Sequence, residues 1–384
     1  MREIPFHRPA IGEEEIRSVS ETLRAGWLTM GPKTLQFEQA FAEYLGVPHA
    51  VSVSSCTAAL HLALACIGLK EGDEVLVPDS TFAATAEVVT YFKARPVVVD
   101  VHKDDLLMDV EAAERAVTPR TRAIIPVHHS GQACDMDPLL DLARRRNLQI
   151  VEDAAHAIPT TYKGRKIGAL GPLTCFSFYA TKTLATGEGG MVTTFDEKQA
   201  ARIRVLRLHG IDKDAWKRYT KEGSWYYEVV EAGYKYNLTD PQAAMGLVQL
   251  RRLETLHEAR RRIAGAYRDA FASMEGIRPL RVHEDRGHAW HLFVILLDPG
   301  RLSIPREAFI RAMAERGIGT SVHFIPLHRQ PYYRDAFGLS ASDFPSCEGA
   351  YQRQVSLPIY PDMTQEDVAY VIENVRELLT LHRR

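Results

Sequence analysis

Four short segments carry side chains able to do chemistry. Ser54, Ser55, Cys56 and Thr57 separate the apolar run AVSV from the helical AALHLAL. That places hydroxyls and free backbone N–H groups at a helix N-terminus, where the dipole favours an anion such as phosphate. A serine there serves equally well as a plain helix cap. Asp153 ends the strand-like QIVED, and His156 follows three residues on. A carboxylate at a buried strand end must be paired or hydrogen-bonded, either by capping the next turn or by meeting a protonated heterocyclic nitrogen. Lys182 stands between the aromatic TCFSFY and the turn-prone TGEGG. Desolvation there lowers an amine's pKa, as a Schiff-base lysine needs, although most lysines are solvated surface groups. Phe82, in DSTFAAT, can cover a ring. An anion pocket, a ring cover, an acid for a ring nitrogen and an amine for an aldehyde make up a protein's share of a pyridoxal phosphate site.

These segments need a scaffold that brings strand ends together. The runs AVSV, EVLVP, PVVVDV, AIIPVH, QIVED, TCFSFY and GMVTT alternate with helical stretches. That alternation predicts an α/β fold: a large domain with a seven-stranded, mostly parallel sheet covered by helices, and ligands beyond the carboxyl ends of its strands. Ile16, Val19 and Leu23 are expected to form the core face of a first helix closed by Gly26, and Phe37, Phe41 and Tyr44 that of a second closed by Gly46. The uncharged stretch Ala50 to Leu69 reads as a buried strand and helix rather than a membrane span, because serines, Thr57 and His61 interrupt it. From Asp240 a long arginine-rich helix bridges to a smaller C-terminal α+β domain, which divides the chain into 1–250 and 251–384. The loop from His209 to Leu238 is long and aromatic, with Trp216, Trp225, Tyr226, Tyr227, Tyr234 and Tyr236, and such loops are usually functional or oligomer contacts.

Composition narrows the classes further. The 384 residues hold 46% hydrophobic and 25% charged side chains with a net charge of −2, so no electrostatic footprint for nucleic acid or an anionic membrane exists. The N-terminus lacks the apolar core of a secretory signal, and the five cysteines form no CxxC pair; a cytoplasmic protein with reduced thiols is expected. His128 with His129, and His288 with His291, suggest a metal, but no carboxylate or cysteine completes a zinc spacing. HAWHLFVILL reads as a strand, in which residues three apart point to opposite faces, so no metal is expected. No GxGxxG follows a strand, which removes a nicotinamide dehydrogenase.

The motifs PFHRPAIG, GWLTMGP, GDEVLVPDSTFAAT, VEDAAHA, FSFYATK, GEGGMV, GYKYNLTD and VHFIPLHRQPYY, in this order along nearly the whole chain, resemble those of the DegT-type nucleotide-sugar aminotransferases, which are fold-type I pyridoxal phosphate enzymes. Within that family the similarity extends to UDP-sugar 4-aminotransferases, those making 4-amino-4-deoxy-L-arabinose among them. The resemblance implies that Lys182 carries the cofactor and later shuttles the proton, and that Asp153 keeps the pyridine nitrogen protonated. His156 would lie by the phenolic oxygen and Phe82 over the ring. Ser55, Cys56, Thr57 and Ser177 would bind the phosphate, and Asn237 would reach the phosphate in a neighbouring subunit, which makes a homodimer obligatory. His323 and His328 would approach the sugar nucleotide, although either also reads as a structural histidine. Two departures stand out: Cys56 replaces the usual Gly or Ala, and PVHHSGQ places His129 at a strand end that should face the substrate. The implied reaction is transfer of an amino group from glutamate, through pyridoxamine phosphate, to C4 of a UDP-4-keto sugar. The alternatives are C3 amination or a non-catalytic sensor on the same fold.

Overall fold

The computed structural model describes residues 2–212 and 226–384. Runs rich in Val and Ile form β1 (His49–Val53), β2 (Glu74–Pro78), β3 (Arg95–Val99), β4 (Thr121–Ile124), β5 (Gln149–Asp153), the two-residue β6 (Thr161–Tyr162) and β7 (Arg165–Lys166), β8 (Leu173–Ser177) and β9 (Gly190–Thr194). All but β6 and β7 join the expected seven-stranded sheet, in the order β1-β9-β8-β5-β4-β2-β3. Only β9 runs antiparallel to its neighbours, so the carboxyl ends of β1, β2, β4, β5 and β8 share one edge.

Parallel neighbours need crossovers, which helices supply. After α1 (Glu13–Ala25) and α2 (Pro32–Leu45) come α3 (Cys56–Cys66), α4 (Ala84–Thr90), α5 (Val110–Ala116), α6 (Met136–Arg146) and α7 (Glu197–Leu206). The stretch from Ala50 is thus a buried strand and helix, as its interrupted hydrophobicity implies. Alternation along β8 serves both faces of the sheet. Phe176 and Phe178 pack against Phe41 of α2 at ring separations of 5.2 and 5.4 Å, while Cys175 faces the core beneath α3. Each such phenylalanine contributes roughly 1.5–3 kcal/mol by burial.

The first helix departs from expectation. Ile16 and Leu23 are 51% and 52% exposed, whereas Glu15 and Thr22 are buried. Glu15 explains the rotation: its carboxylate accepts from Gly12 N (2.9 Å) and Gln249 Nε2 (2.8 Å), so the polar face turns inward. An apolar stripe is left bare on the surface.

The long helix α8 (Asp240–Phe271) packs on α1 and α2 with its first half and on C-terminal elements with its second. Residue 250 therefore lies inside one continuous helix. Beyond it come β10 (Ile277–Pro279), β11 (Arg286–Gly287), β12 (Phe293–Leu297), α9 (Arg306–Glu315), α10 (Pro331–Phe337), α11 (Pro345–Tyr351), β13 (Gln354–Leu357) and α12 (Gln365–Leu381). Strands β10, β12 and β13 form an antiparallel sheet over a second core, which also takes in Ile4 from the start of the chain.

Asp240 ties two of the motifs together. Its buried carboxylate accepts from Gly31 N (2.8 Å), Lys33 N (3.1 Å), Thr34 N (3.0 Å) and Thr34 Oγ1 (2.7 Å), capping α2 from the start of α8. Asp240→Ala leaves these donors unsatisfied and should lower unfolding stability by about 3 kcal/mol, read from the midpoint of urea denaturation.

Candidate active site

The shared carboxyl edge gathers most of the candidate residues. Asp153 is buried at the end of β5, with Thr85 Oγ1 donating to Oδ2 (2.8 Å) and Ala155 N to Oδ1 (3.1 Å). Burial raises its pKa, and these two hydrogen bonds oppose the rise. Lys182 lies in the turn after β8, its backbone N–H bonded to Tyr179 O (2.8 Å). The side chain is half-buried, and among the described residues the amine has no hydrogen-bond or ion-pair partner. Burial lowers its pKa to about 8, with Cys56 and Asp153 opposing. About a tenth of such an amine is unprotonated at pH 7.

Ser55 caps α3, its hydroxyl accepting from Ala58 N (3.1 Å), so the plain capping reading holds for this side chain. The amides of Cys56 and Thr57 belong to the first turn and have no intrahelical acceptor. Cys56 does not crowd them, because its thiol turns toward Cys175 O (3.6 Å). Gly190 permits this seating: a Cβ there would lie 2.6 Å from the Ser55 carbonyl and 2.8 Å from Cys56 N. Ser177, buried at the end of β8, accepts from Tyr179 N (3.3 Å).

An aromatic and imidazole wall faces these groups. His156 stacks on Phe324 (5.7 Å) and meets His291 at 4.3 Å, and Phe82 lies 5.9 Å from Phe324. Ser130 N donates to His156 Nδ1 (3.3 Å), which puts the proton of the neutral ring on Nε2. Burial holds His156 and His291 well below the usual histidine range and lowers His129 to about 4 and His323 to about 3. The wall is uncharged at neutral pH.

His291 reaches this place because HAWHLFVILL is not one strand. Ala289 N and Leu292 N bond to Gly131 O (2.8 Å) and Ser130 O (3.2 Å), Trp290 is left-handed (φ 52°), and β12 starts only at Phe293. Docking on the loop after β4 overrides the alternating pattern. His128 is committed elsewhere, with Nε2 on Glu152 (3.0 Å) and Nδ1 on Cys134 N (3.0 Å).

Two of the three histidines expected to meet the substrate are fully engaged. His129 donates from Nε2 to His323 O (3.2 Å) and accepts from Ser130 Oγ (2.9 Å), so it braces His323. His328 sits between Asp79 Oδ2 (2.6 Å) and Glu348 Oε2 (3.0 Å), pinning the C-terminal unit to the end of β2. His323 bonds Ser356 Oγ through Nδ1 alone (2.9 Å), and its ring stacks on Phe6. Arg207 is buried against Glu38 and Ser52 O (2.8 Å), so its guanidinium is spent within the fold. Lys235 bonds Asn237 Oδ1, while Tyr234 and Tyr236 pack around His61 of α3; Trp216 and Trp225 lie outside the described residues. Sequence reasoning gave no role to His7, Thr85 or Phe324. His7 bonds Ala180 O (3.2 Å), two residues before Lys182. All three stand inside the quoted motifs, but nothing local tells which member of a motif turns inward.

The His328 clamp makes a pH prediction. Burial lowers its pKa, but the Asp79 and Glu348 carboxylates outweigh it and hold it above the usual 6.5. A raised folded pKa means the clamp's stabilisation is complete below about 6.5 and fades as pH climbs through the folded value. His328→Gln should flatten that limb of a plot of melting temperature against pH; an unchanged slope would show that the clamp is not the titrating group.

The match to known proteins agrees with this geometry. Residues 9–376 match the DegT/DnrJ/EryC1/StrS aminotransferase family. The chain belongs to that family. Its relatives include the spore coat polysaccharide biosynthesis protein SpsC of Bacillus subtilis, 52% identical over 98% of this chain and 97% of that protein. The putative sugar aminotransferase Spr1654 of Streptococcus pneumoniae, solved in PLP and PMP forms, superposes with a TM-score of 0.92 at 34% identity, covering 99% of this chain and 98–99% of the other. DesV of S. venezuelae, solved with a ketimine intermediate, gives 0.90 at 34% identity over 99% of both chains. The protein is an aminotransferase of fold-type I, and as a member of this family it uses pyridoxal phosphate. The donor set fits that cofactor: a buried acid, an unpartnered amine, a capped helix start and an uncharged aromatic wall. No helix among the described residues is long and apolar enough to cross a membrane.

Proposed function

We propose that the protein moves the amino group of glutamate to C4 of a UDP-linked 4-keto sugar. The observation that carries the amino transfer in this reading is the Lys182 amine, without a partner among the described residues and with its pKa lowered to about 8, on the same sheet edge as buried Asp153 and the start of α3. Bound there, pyridoxal phosphate supplies an electron sink for charge at the reacting carbon. Asp153 holds a proton on the ring nitrogen, and Lys182 Nζ carries a proton between the substrate and cofactor carbons. The Nε2–H of His156 donates to the ring oxygen, and Phe82 covers the ring. The amides of Cys56 and Thr57 bind the phosphate with Ser177, and Ser55 holds that turn of helix in shape. His323 faces the sugar.

A homodimer completes the site, with Asn237 reaching the phosphate across the interface. The bare stripe of Ile16 and Leu23 supports a second copy, as do exposed Tyr226, Tyr227, Val229 and Val230 in the segment that leads to Asn237. The enzyme works in the cytoplasm, where nucleotide-linked sugars are its substrates.

The test begins with the visible spectrum of the holoenzyme, which should lose its yellow band on addition of glutamate, followed by borohydride reduction and mapping of the adduct to Lys182. The aminated protein is then offered UDP-4-keto and 3-keto sugars, and NMR of the product locates the new amine. A nitrogen at C3 would overturn the C4 assignment; a colourless protein that takes up no cofactor would favour a sensor.

A further inference from the structure

A guanidinium buried without a counter-ion needs an explanation. Arg260, on the second half of α8, is 2% exposed. Its Nη1 donates to the backbone carbonyls of Trp290 (3.2 Å) and Ile359 (2.7 Å), its Nε has no partner, and among the described residues it forms no ion pair. Burial alone lowers its pKa, to about 10, with no acid opposing. Buried cations are normally matched by an anion, because the uncompensated charge is costly.

Two other buried groups able to donate have no partner among the described residues, and they stand close in the chain to residues packed into the same core as this stretch of α8. His291 Nδ1 has no partner, although the residue is buried, and the carbonyl that Arg260 holds belongs to the residue before it. Thr320 Oγ1 has none either. Thr320 follows Gly319, whose N–H bonds Ile4 O (2.8 Å), and precedes Ser321, which pairs with Ser356, the residue whose hydroxyl holds His323. These segments converge on Lys182. His291 lies 4.3 Å from His156, and His7 is bonded at Ala180; both His7 and His291 feel the charges of Arg260 and Lys182.

We infer that Arg260, Thr320 and His291 form the pocket for one carboxylate of the amino donor, glutamate, and of the 2-oxo acid it leaves behind. The inference rests on the transamination proposed above. A water could satisfy the hydroxyl and the imidazole, but it carries no charge to balance the guanidinium. A carboxylate is acceptor-only, with about four lone-pair sites, and it matches a donor set of guanidinium N–H, hydroxyl and imidazole N–H. A keto sugar brings no carboxylate, so the pocket belongs to the amino-acid half of the cycle.

The test uses the holoenzyme and reads the glutamate concentration that half-bleaches the cofactor band, with and without glutarate as an inert dicarboxylate competitor. Arg260→Gln should raise the half-bleaching concentration by tenfold or more, and Thr320→Val by about tenfold, the effect of losing one hydrogen bond to a charged group. Both should abolish or weaken competition by glutarate. Circular dichroism and cofactor content establish that each variant is folded and loaded, and Thr320→Val removes only a hydroxyl should Arg260→Gln fail to fold. Half-bleaching within twofold of wild type in the folded variants would overturn the pocket, even if Arg260→Gln melts earlier. If glutamate does not bleach the wild-type enzyme, the transamination reading itself falls, and the pocket with it.

Discussion

Lys182→Ala should give a folded protein that still binds pyridoxal phosphate and transaminates at least about a thousandfold more slowly, because a positioned side chain that transfers the proton is worth about 10²–10⁴ in rate. Single-turnover bleaching with glutamate measures it, and a rate within tenfold of wild type would remove the amine from its role. The pH arm is equally definite. Only the neutral amine can attack the cofactor's aldehyde, and burial brings the Lys182 pKa down from 10.5 to about 8. Capture of pyridoxal phosphate by the apoprotein should therefore accelerate as pH rises through about 8 and then level off. A midpoint near 10.5 would mean that the amine is solvated.

Asp153→Asn should retain the cofactor and lose about 10²–10³ in the same half-reaction, the scale of removing one preorganised charge from an enclosed site. The asparagine keeps the contact with Thr85 but offers no negative charge to a protonated ring nitrogen. Thr85→Val provides the complementary reading. The Thr85 hydroxyl stabilises the charged carboxylate, so its loss should raise the Asp153 pKa further and move the acid limb of the pH–rate profile upward. An Asp153→Asn enzyme at full rate would leave the carboxylate a purely structural cap.

Much of this was legible along the chain. The seven strands, the glycines closing α1 and α2, and the buried strand and helix from Ala50 follow from period-2 and 3.6-residue patterns together with local turn chemistry. The candidate site residues are local features too: a carboxylate ending one strand, a lysine in the turn after another and hydroxyls opening a helix, at strand ends that a parallel sheet brings to one edge.

What a linear reading could not decide is which side chains spend their hydrogen bonds on the protein and which keep them for a ligand. Asp79 and Glu348 engage both nitrogens of His328, Ser130 and the His323 carbonyl engage His129, and Glu38 engages Arg207. All of these partners but Ser130 are distant in sequence. Burial of Glu15 turned α1 so that its apolar stripe faces outward, and docking of Ala289 and Leu292 on the loop after β4 carried His291 to the site against its strand-like pattern. Fold class and candidate residue types were therefore readable along the chain, because secondary-structure period and strand-end position are local. Which of those residues remain free to act emerges from packing, because a donor or acceptor is spent by whatever distant group folding brings within about 3 Å of it.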